Sequence, residues 1–235
     1  TSVIFTDLIQ GFILIFAGLL LFYLGLNFLV DNTSYSSGLK ALWENLSPAE
    51  KLPLANFNSP PDFNFVGIFW QDGIAGSIGF LFLNQGLIMR FMAARSVNEG
   101  RKAAAFNVLV ILPISAIVVS NAGWIGKAIV NAMGTDSPIP VDLAPNDVFV
   151  TVANLVTSPG VFGFVIAALC AALMSTSDTL VNASSSVIIN DIYRPLTKNK
   201  ASDEEQLKLA RLASVLVKVI AVCLVPFFNS FDSIY

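Results

Sequence analysis

The chain has 235 residues, of which 55% are hydrophobic and only 12% charged, with a formal net charge of −3. A soluble domain carries about 25% charged residues, so the composition excludes a soluble globular protein and reads as a polytopic membrane protein embedded in a lipid bilayer. No histidine is present, which removes histidine acid–base chemistry, Ser-His-Asp triads and most zinc sites. With no metal-ligand cluster and no nucleophile–base pair, an enzyme is not expected, and nucleic acid is not among the expected partners.

A bilayer-spanning helix needs about 20 mostly apolar residues. Five segments qualify, at about 1–30, 63–94, 103–130, 161–189 and 209–228. Together they read as one transmembrane domain over 1–235. The first span opens without a basic n-region, a cleavage site or an initiator Met, and the last residues stop where another segment could begin. The chain is therefore expected to be a piece of a longer protein. Gly73, Gly76 and Gly79 in the second span and Pro113 in the third invite kinks or close helix contacts. Segment 146–156 (NDVFVTVANLV) is apolar but too short to span, and Thr157-Ser158-Pro159-Gly160 stops it. It is expected as a short helix on the outer surface. Cys170 and Cys223 lie in apolar spans and read as small hydrophobes in packed helices, with no disulfide.

Orientation follows from Lys and Arg in the short loops. Arg90, Arg95, Arg101 and Lys102 follow span two, and Arg194, Lys198, Lys200, Lys208 and Arg211 follow span four. Both turns are expected to be cytoplasmic. Residues 31–62 hold only Lys40 and Lys51, and 131–147 hold no Lys or Arg, so both are expected outside. Residues 31–62 read as a surface loop that partly caps the outer mouth. Asp203-Glu204-Glu205 reads as the capped, solvated start of span five.

Span four carries the strongest signal. Ser175, Thr176, Asp178, Thr179 and Asn182 recur at a spacing that places them on one helix face, and Ala172 joins them one turn earlier. A carboxylate at a helix centre in hydrocarbon costs roughly 2.5–3.5 kcal/mol, so such groups usually face a pathway or an ion. Hydroxyl and carbonyl oxygens replace the hydration shell of a hard monovalent cation without trapping it, whereas several carboxylates would favour calcium or magnesium. One Asp among hydroxyls therefore points to Na⁺ or H⁺. The bland alternative is hydroxyls bonded back to the i−4 carbonyl or joining helices.

Asp7, in Thr6-Asp7-Leu8-Ile9-Gln10, is either an interfacial carboxylate stabilised by the helix dipole or a bundle-facing group that helps an ion leave inward. In span two, Asn84 and Gln85 carry side-chain amides that suit a small neutral polar solute, or else interhelical hydrogen bonds. Phe69, Trp70, Phe80 and Phe82 are aromatics that either stack on a sugar or pack.

Three blocks together resemble the sodium/solute symporter family, which includes the sodium/glucose, sodium/galactose and sodium/proline carriers. Thr6-Asp7-Leu8-Ile9-Gln10 is similar to the family's T-D-x-x-Q. Residues 84–96, NQGLIMRFMAARS, are similar to NQ-x-x-x-x-R-x-x-A-A-K/R-S. Residues 171–193 are similar to A-A-x-M-S-S/T-x-D-S-x-x-N-A followed by D-x-Y. The resemblance implies a partial LeuT-like inverted-repeat bundle, all-α, with the five spans as core helices five to nine. It also implies sodium as the coupling ion. The carbonyl of Ala172 and the hydroxyls of Ser175 and Thr176 would be half of the main sodium site, and Asp7, Thr179 and Asp178 a second cation site found in some members. Asn84, with Gln85, would touch the solute. The first and tenth core helices are absent, so the piece alone is not expected to transport.

The resulting expectation is sodium-coupled symport of a small polar organic solute by alternating access, in a cell membrane and most simply a bacterial inner membrane. Asn84-Gln85 leans towards a sugar, with an amino acid or carboxylate as the alternative solute. A sodium- or solute-sensing membrane domain of a signalling protein is the alternative function.

Overall fold

The computed structural model describes residues 2–51, 65–140, 143–197 and 202–228. Among these residues every regular element is helical. Helix α1 spans Ser2–Asp31 and α2 spans Gly38–Asn45, with one further helical turn at Pro48–Lys51. A helical turn (Phe65–Ile68) and a π-helical stretch (Phe69–Gly76) lead into α3 (Ser77–Leu83), which is followed by α4 (Gln85–Met92). Helix α5 (Val97–Phe106) continues through a π-helical stretch (Asn107–Ile111) into α6 (Leu112–Met133). The remaining helices are α7 (Val148–Val156), α8 (Pro159–Val187) with a π-helical extension (Ile188–Tyr193), and α9 (Asp203–Phe228).

Four continuous helices, Phe5–Asp31, Val97–Asp136, Pro159–Leu196 and Asp203–Phe228, are long and apolar enough to cross a membrane. The chain is an all-α, multi-pass membrane protein. The second expected span is not one helix. It breaks at Asn84, whose backbone is extended (φ −77, ψ 103) and whose side chain caps α4 by accepting from the Leu87 N–H at 3.1 Å. Asn favours such a cap because its amide oxygen competes for backbone donors.

Two other boundaries are set by caps. The helix of the third expected span starts at Val97, earlier than its apolar run, because the Ser96 hydroxyl accepts from the Glu99 N–H at 3.3 Å. Helix α9 starts with a reciprocal box: the Ser202 N–H donates to Glu205 Oε2 at 3.0 Å and the Glu205 N–H to Ser202 Oγ at 3.3 Å. Pro113 lies just past the π-helical stretch at Asn107–Ile111. The wider turn there absorbs the clash that a proline ring makes with the i−4 carbonyl.

The core lies between α1, α2, α6, α7 and the first half of α8. Ala17, Gly18, Leu21, Gly25 and Leu29 form the buried stripe of α1. Two glycines on it receive side chains of α6 in a seven-residue register, Gly18 against Val118 and Gly25 against Ile125. A Cβ at Gly18 would lie 2.9 Å from Val118 Cβ, and one at Gly25 2.9 Å from Ile125 Cγ2. Glycine suits both contacts because the Val118 and Ile125 side chains fill the space that a Cβ would take, so any larger residue must displace them. Between them, buried Asn121 donates to the Gly18 carbonyl at 2.8 Å. The short helix α7 packs one face against α6. Val152 and Ala153 are fully buried, and Gly126 admits Val152 at close range.

The expected loop at 31–62 contains α2, which buries Ala41 and Leu42. Residues 52–62 of that loop lie outside the described residues. A second capping box follows α2, with the Ser47 N–H donating to Glu50 Oε2 at 2.8 Å. Glu50 also accepts from Asn131 at 3.1 Å and pairs with Lys127 at 3.5 Å, so this segment is tied to the end of α6. Burial raises the Glu50 pKa, but the Ser47 amide and hydroxyl, Lys127 and Asn131 together hold it below its ordinary 4.5. Cys170 and Cys223 are free and exposed rather than packed. They share this with large apolar side chains such as Phe12, Phe16, Leu212, Val215 and Val219, as expected of a surface that meets lipid or further helices.

Candidate functional site

Three helices converge on one carboxylate. Asp7 of α1 is 14% exposed. Its Oδ1 accepts from the Ser175 hydroxyl of α8 at 2.6 Å, and its Oδ2 accepts from Nη2 of Arg90 on α4 at 2.6 Å. The same Nη2 donates to Thr179 Oγ1 at 2.7 Å, while the Thr179 hydroxyl donates to the Ser175 carbonyl at 3.0 Å. Asp7 therefore faces the bundle and lies beyond the first turn of α1, so the interfacial helix-dipole reading does not hold. Its charge is balanced by Arg90, which lowers the cost of a carboxylate at this depth.

Local sequence explains the convergence. Ser175 and Thr179 are one turn apart and share a face of α8. Gly86 and Arg90 are one turn apart on α4, and Gly86 is buried. A Cβ at Gly86 would stand 2.7 Å from Thr179 Cγ2. The glycine thus lets α4 reach α8, and Arg90 then reaches Asp7.

The polar face of α8 does not act as one surface. At about 100° per residue, Asp178 and Thr176 lie about 160° apart around the axis, too wide an arc for one neighbour. Ser175 and Thr179 turn to α1 and α4. Asp178 turns to α9, where its Oδ1 lies 3.5 Å from Lys218 Nζ, with both side chains about half exposed. It is not brought together with Asp7 and Thr179. Asn182 lines a polar groove between α8 and α9 with Ser185, Ser186, Asn190, Arg211 and Ser214. Thr176 is exposed, and its hydroxyl donates to the Ala172 carbonyl at 3.2 Å. That edge, Ala172 and Thr176, is left open.

A fit to a monovalent cation follows from the donor set. Among the described residues no three acidic, cysteine or histidine side chains converge. The α8 face instead offers the neutral hydroxyl oxygens of Thr176, on the open edge, and of Ser175, beside Asp7, together with the Ala172 carbonyl, which a rotation of the Thr176 hydroxyl would free for an ion. Such oxygens suit Na⁺ rather than a divalent ion.

Asn84 uses its amide oxygen to cap α4, which leaves the amide nitrogen as a donor at the helix break. Gln85 is partly buried beside it. Phe69 and Trp70 are exposed and contact each other edge-on, with centroids 6.0 Å apart; the side chains of Phe80 and Phe82 lie outside those described. A mainly apolar cleft of about 500 Å³ beside α2 is lined by Phe22, Leu42, Trp43, Leu46 and Trp124 among others. None of the candidate residues borders it.

Two residues join this polar network that the sequence did not mark as site residues. Arg90 reads from the sequence as a cytoplasmic loop charge and as the arginine of the 84–96 block, with no site role attached. Lys218 was passed over, although a lysine well inside an apolar span is itself a signal of function or pairing.

The family model described as "Sodium:solute symporter family" matches residues 1–235. The chain is similar to a sodium/glucose cotransporter of Vibrio parahaemolyticus, 25% identical over 96% of this chain and 43% of that protein. It is similar to a high-affinity proline transporter of Bacillus subtilis, 31% identical over 59% of this chain and 28% of that protein. It is also similar to a sodium/sialic acid symporter of Proteus mirabilis, 25% identical over 94% of this chain and 43% of that protein. The chain thus spans less than half the length of these relatives. No solved structure matches it.

Proposed function

Because the chain belongs to the sodium:solute symporter family, whose members are sodium-coupled transporters rather than enzymes, we propose that it is the central part of a carrier. That carrier couples sodium influx to uptake of a small polar organic solute by alternating access. The five helical segments are read as core helices five to nine of a LeuT-like inverted repeat. The open edge of α8 carries the proposal: the Ala172 carbonyl and Thr176 hydroxyl lie 3.2 Å apart, beside Ser175, with no described helix covering Thr176. A helix outside this chain completes the sodium shell there. Sodium then joins that helix to α8 and stabilises the outward-open form, and solute binding favours occlusion. The coupling is reciprocal, so sodium raises solute affinity by the factor by which solute raises sodium affinity.

Ser175 is shared between two parts of the site. Its proton is engaged by Asp7, while its oxygen lone pairs remain for sodium. The break at Asn84, with its amide nitrogen and Gln85 adjacent, supports a solute that accepts hydrogen bonds. A sugar is the first solute to test, followed by amino acids and carboxylates, since the relatives' names include glucose, proline and sialic acid.

The test is uptake by the complete carrier in sealed proteoliposomes, with radiolabelled sugars, amino acids and carboxylates, each with and without an inward sodium gradient. Uptake of one class only with sodium is expected. In Thr176→Ala, loss of one neutral oxygen ligand worth about 1 kcal/mol raises the sodium concentration for half-maximal uptake about fivefold and leaves the solute range unchanged. Unchanged sodium dependence would remove Thr176 from the site.

A further inference from the structure

The polar residues of α8 continue past Thr179 into the groove against α9. This groove has a volume of about 320 Å³ and no acidic side chain lines it. Asn182, Ser186 and Asn190 face it from α8 and its π-helical extension, and Leu207, Arg211 and Ser214 from α9. Arg211 is exposed, and among the described residues it makes no hydrogen bond or ion pair. Of the acids that begin α9, Glu204 pairs with Lys208 at 2.9 Å and Glu205 accepts from the Ser202 N–H at 3.0 Å; neither they nor Asp191 and Asp203 line the groove. Asn190 gives its amide oxygen to Arg194 Nη1 at 2.9 Å, which leaves its amide nitrogen to donate. The Ser186 hydroxyl donates to the Asn182 carbonyl at 2.8 Å, and that of Ser214 to the Ala210 carbonyl at 2.9 Å. The groove thus presents a guanidinium and an amide as donors, with no carboxylate to satisfy them. We propose that it binds the phosphate of an acidic phospholipid, with Arg211 as the cation and the Asn190 amide as a second donor.

The depth of Arg211 selects a lipid over a free anion. Residues 203–211 carry Asp203, Glu204, Glu205, Lys208 and Arg211, whereas 212–228 carry Lys218 as their one charge, and Lys218 is paired with Asp178. Arg211 therefore stands where the charged start of α9 gives way to its apolar run, the level of the headgroups. Val215 and Val219, one and two turns further, are exposed and lie in line to take an acyl chain, whose apolar contact a free phosphate lacks. The turn between α8 and α9 is also one that its Lys and Arg mark as cytoplasmic, the side on which acidic lipid heads fill basic pockets between membrane helices. Arginine suits the task because its planar fork meets two phosphate oxygens at once. The groove lies apart from the proposed sodium and solute residues, so the inference does not depend on the symport reading.

The test is native mass spectrometry of the purified complete carrier in detergent, titrated with phosphatidylglycerol or with phosphatidylcholine of the same acyl chains. Phosphatidylglycerol is expected to fill one saturable site and to bind more tightly than phosphatidylcholine. Arg211→Gln should weaken phosphatidylglycerol about fivefold and leave phosphatidylcholine unchanged, while Arg211→Lys, which keeps the charge, should lose less. Arg101→Gln removes an exposed charge from the other basic turn and should change neither. Equal affinity for the two lipids would overturn the inference, as would equal losses in Arg101→Gln and Arg211→Gln, which would mean diffuse surface attraction. Displacement of the lipid by inorganic phosphate at equal concentration would identify a soluble anion as the ligand and overturn it too. No bound phospholipid would mean that a helix outside this chain covers the groove, with the same consequence. If Arg211→Gln does not fold, the lipid preference of the wild type and the phosphate competition still decide it.

Discussion

Gly86→Ala tests the contact that assembles the site. The added methyl would lie 2.7 Å from Thr179 Cγ2, whereas ordinary contact begins at 3.4 Å, so about 0.7 Å must be found. Thr179 cannot supply it by rotating. Its χ1 is stiff, and its hydroxyl is fixed by the Ser175 carbonyl and Arg90. Helix α4 must back away, and Arg90 one turn along moves with it. Overpacking of this size costs roughly 1–3 kcal/mol. Thr179→Ser keeps the hydroxyl and removes the obstructing methyl at a cost of roughly 0.8 kcal/mol. In that background Gly86→Ala is expected to be neutral or slightly stabilising, because alanine is the better helix former by up to about 1 kcal/mol. The double-mutant cycle, read from denaturant titrations in detergent, should show a coupling of roughly 1–3 kcal/mol. A neutral Gly86→Ala, or a double mutant no better than the sum of the singles, would refute the claim that this contact positions Arg90.

Three further outcomes follow from the same geometry. Gly25→Ala sets a methyl 2.9 Å from Cγ2 of fully buried Ile125 and should cost roughly 1–3 kcal/mol, part of it recovered by Ile125→Val; full stability of the single variant would contradict the α1–α6 register. Asp178→Asn and Lys218→Met should each destabilise by leaving one charge unpaired, with a double mutant better than their sum; because both side chains are about half exposed, the coupling should be about 1 kcal/mol or less, and strict additivity would deny the pair. Glu50 has a folded pKa below its ordinary 4.5, so its stabilising contribution is fully present above that value and is lost as pH falls through the folded pKa. The stability difference between wild type and Glu50→Gln should therefore shrink as pH is lowered from 6 towards 3, and a difference that grows would reverse the sign assigned here.

Much of the fold was legible because hydrocarbon imposes a simple rule: long apolar runs become helices. The capped start of α9 was legible for the same local reason that caps work anywhere, with Ser202 and Glu205 three residues apart. The break at Asn84 was not, because the apolar run continues on both sides and only the amide's preference for a cap marks the position. The loop before span two hid α2, since Leu39, Ala41, Leu42 and Leu46 show their pattern only when α1 and α6 are there to receive it. Ser175 and Thr179 were readable as a pair from their one-turn spacing, while Asp178 was grouped with them because a helical face drawn from sequence is as wide as the reader allows. Only the neighbours α1, α4 and α9 divide that arc.

Arg90 shows where sequence reasoning runs into a conflict of signals. Counting basic residues places it with Arg95, Arg101 and Lys102 as a marker of the cytoplasmic side, and the rule that supports this counting is indifferent to where a side chain points. A side chain can serve both roles here because the second span is broken: α4 is a separate eight-residue helix, free to lean its Gly86 face on α8. An unbroken span would carry Arg90 at a fixed rotation relative to α3. The break at Asn84, the absence of a side chain at Gly86 and the charge at Arg90 are therefore one device, in which each residue matters only because of the other two. If so, substitutions that restore helix continuity at position 84, such as Asn84→Leu, should weaken the Asp7–Arg90 pair from two turns away. In denaturant titrations in detergent, Arg90→Gln should then cost less stability in the Asn84→Leu background than on its own. Equal costs in the two backgrounds would separate the break at Asn84 from the Asp7–Arg90 pair.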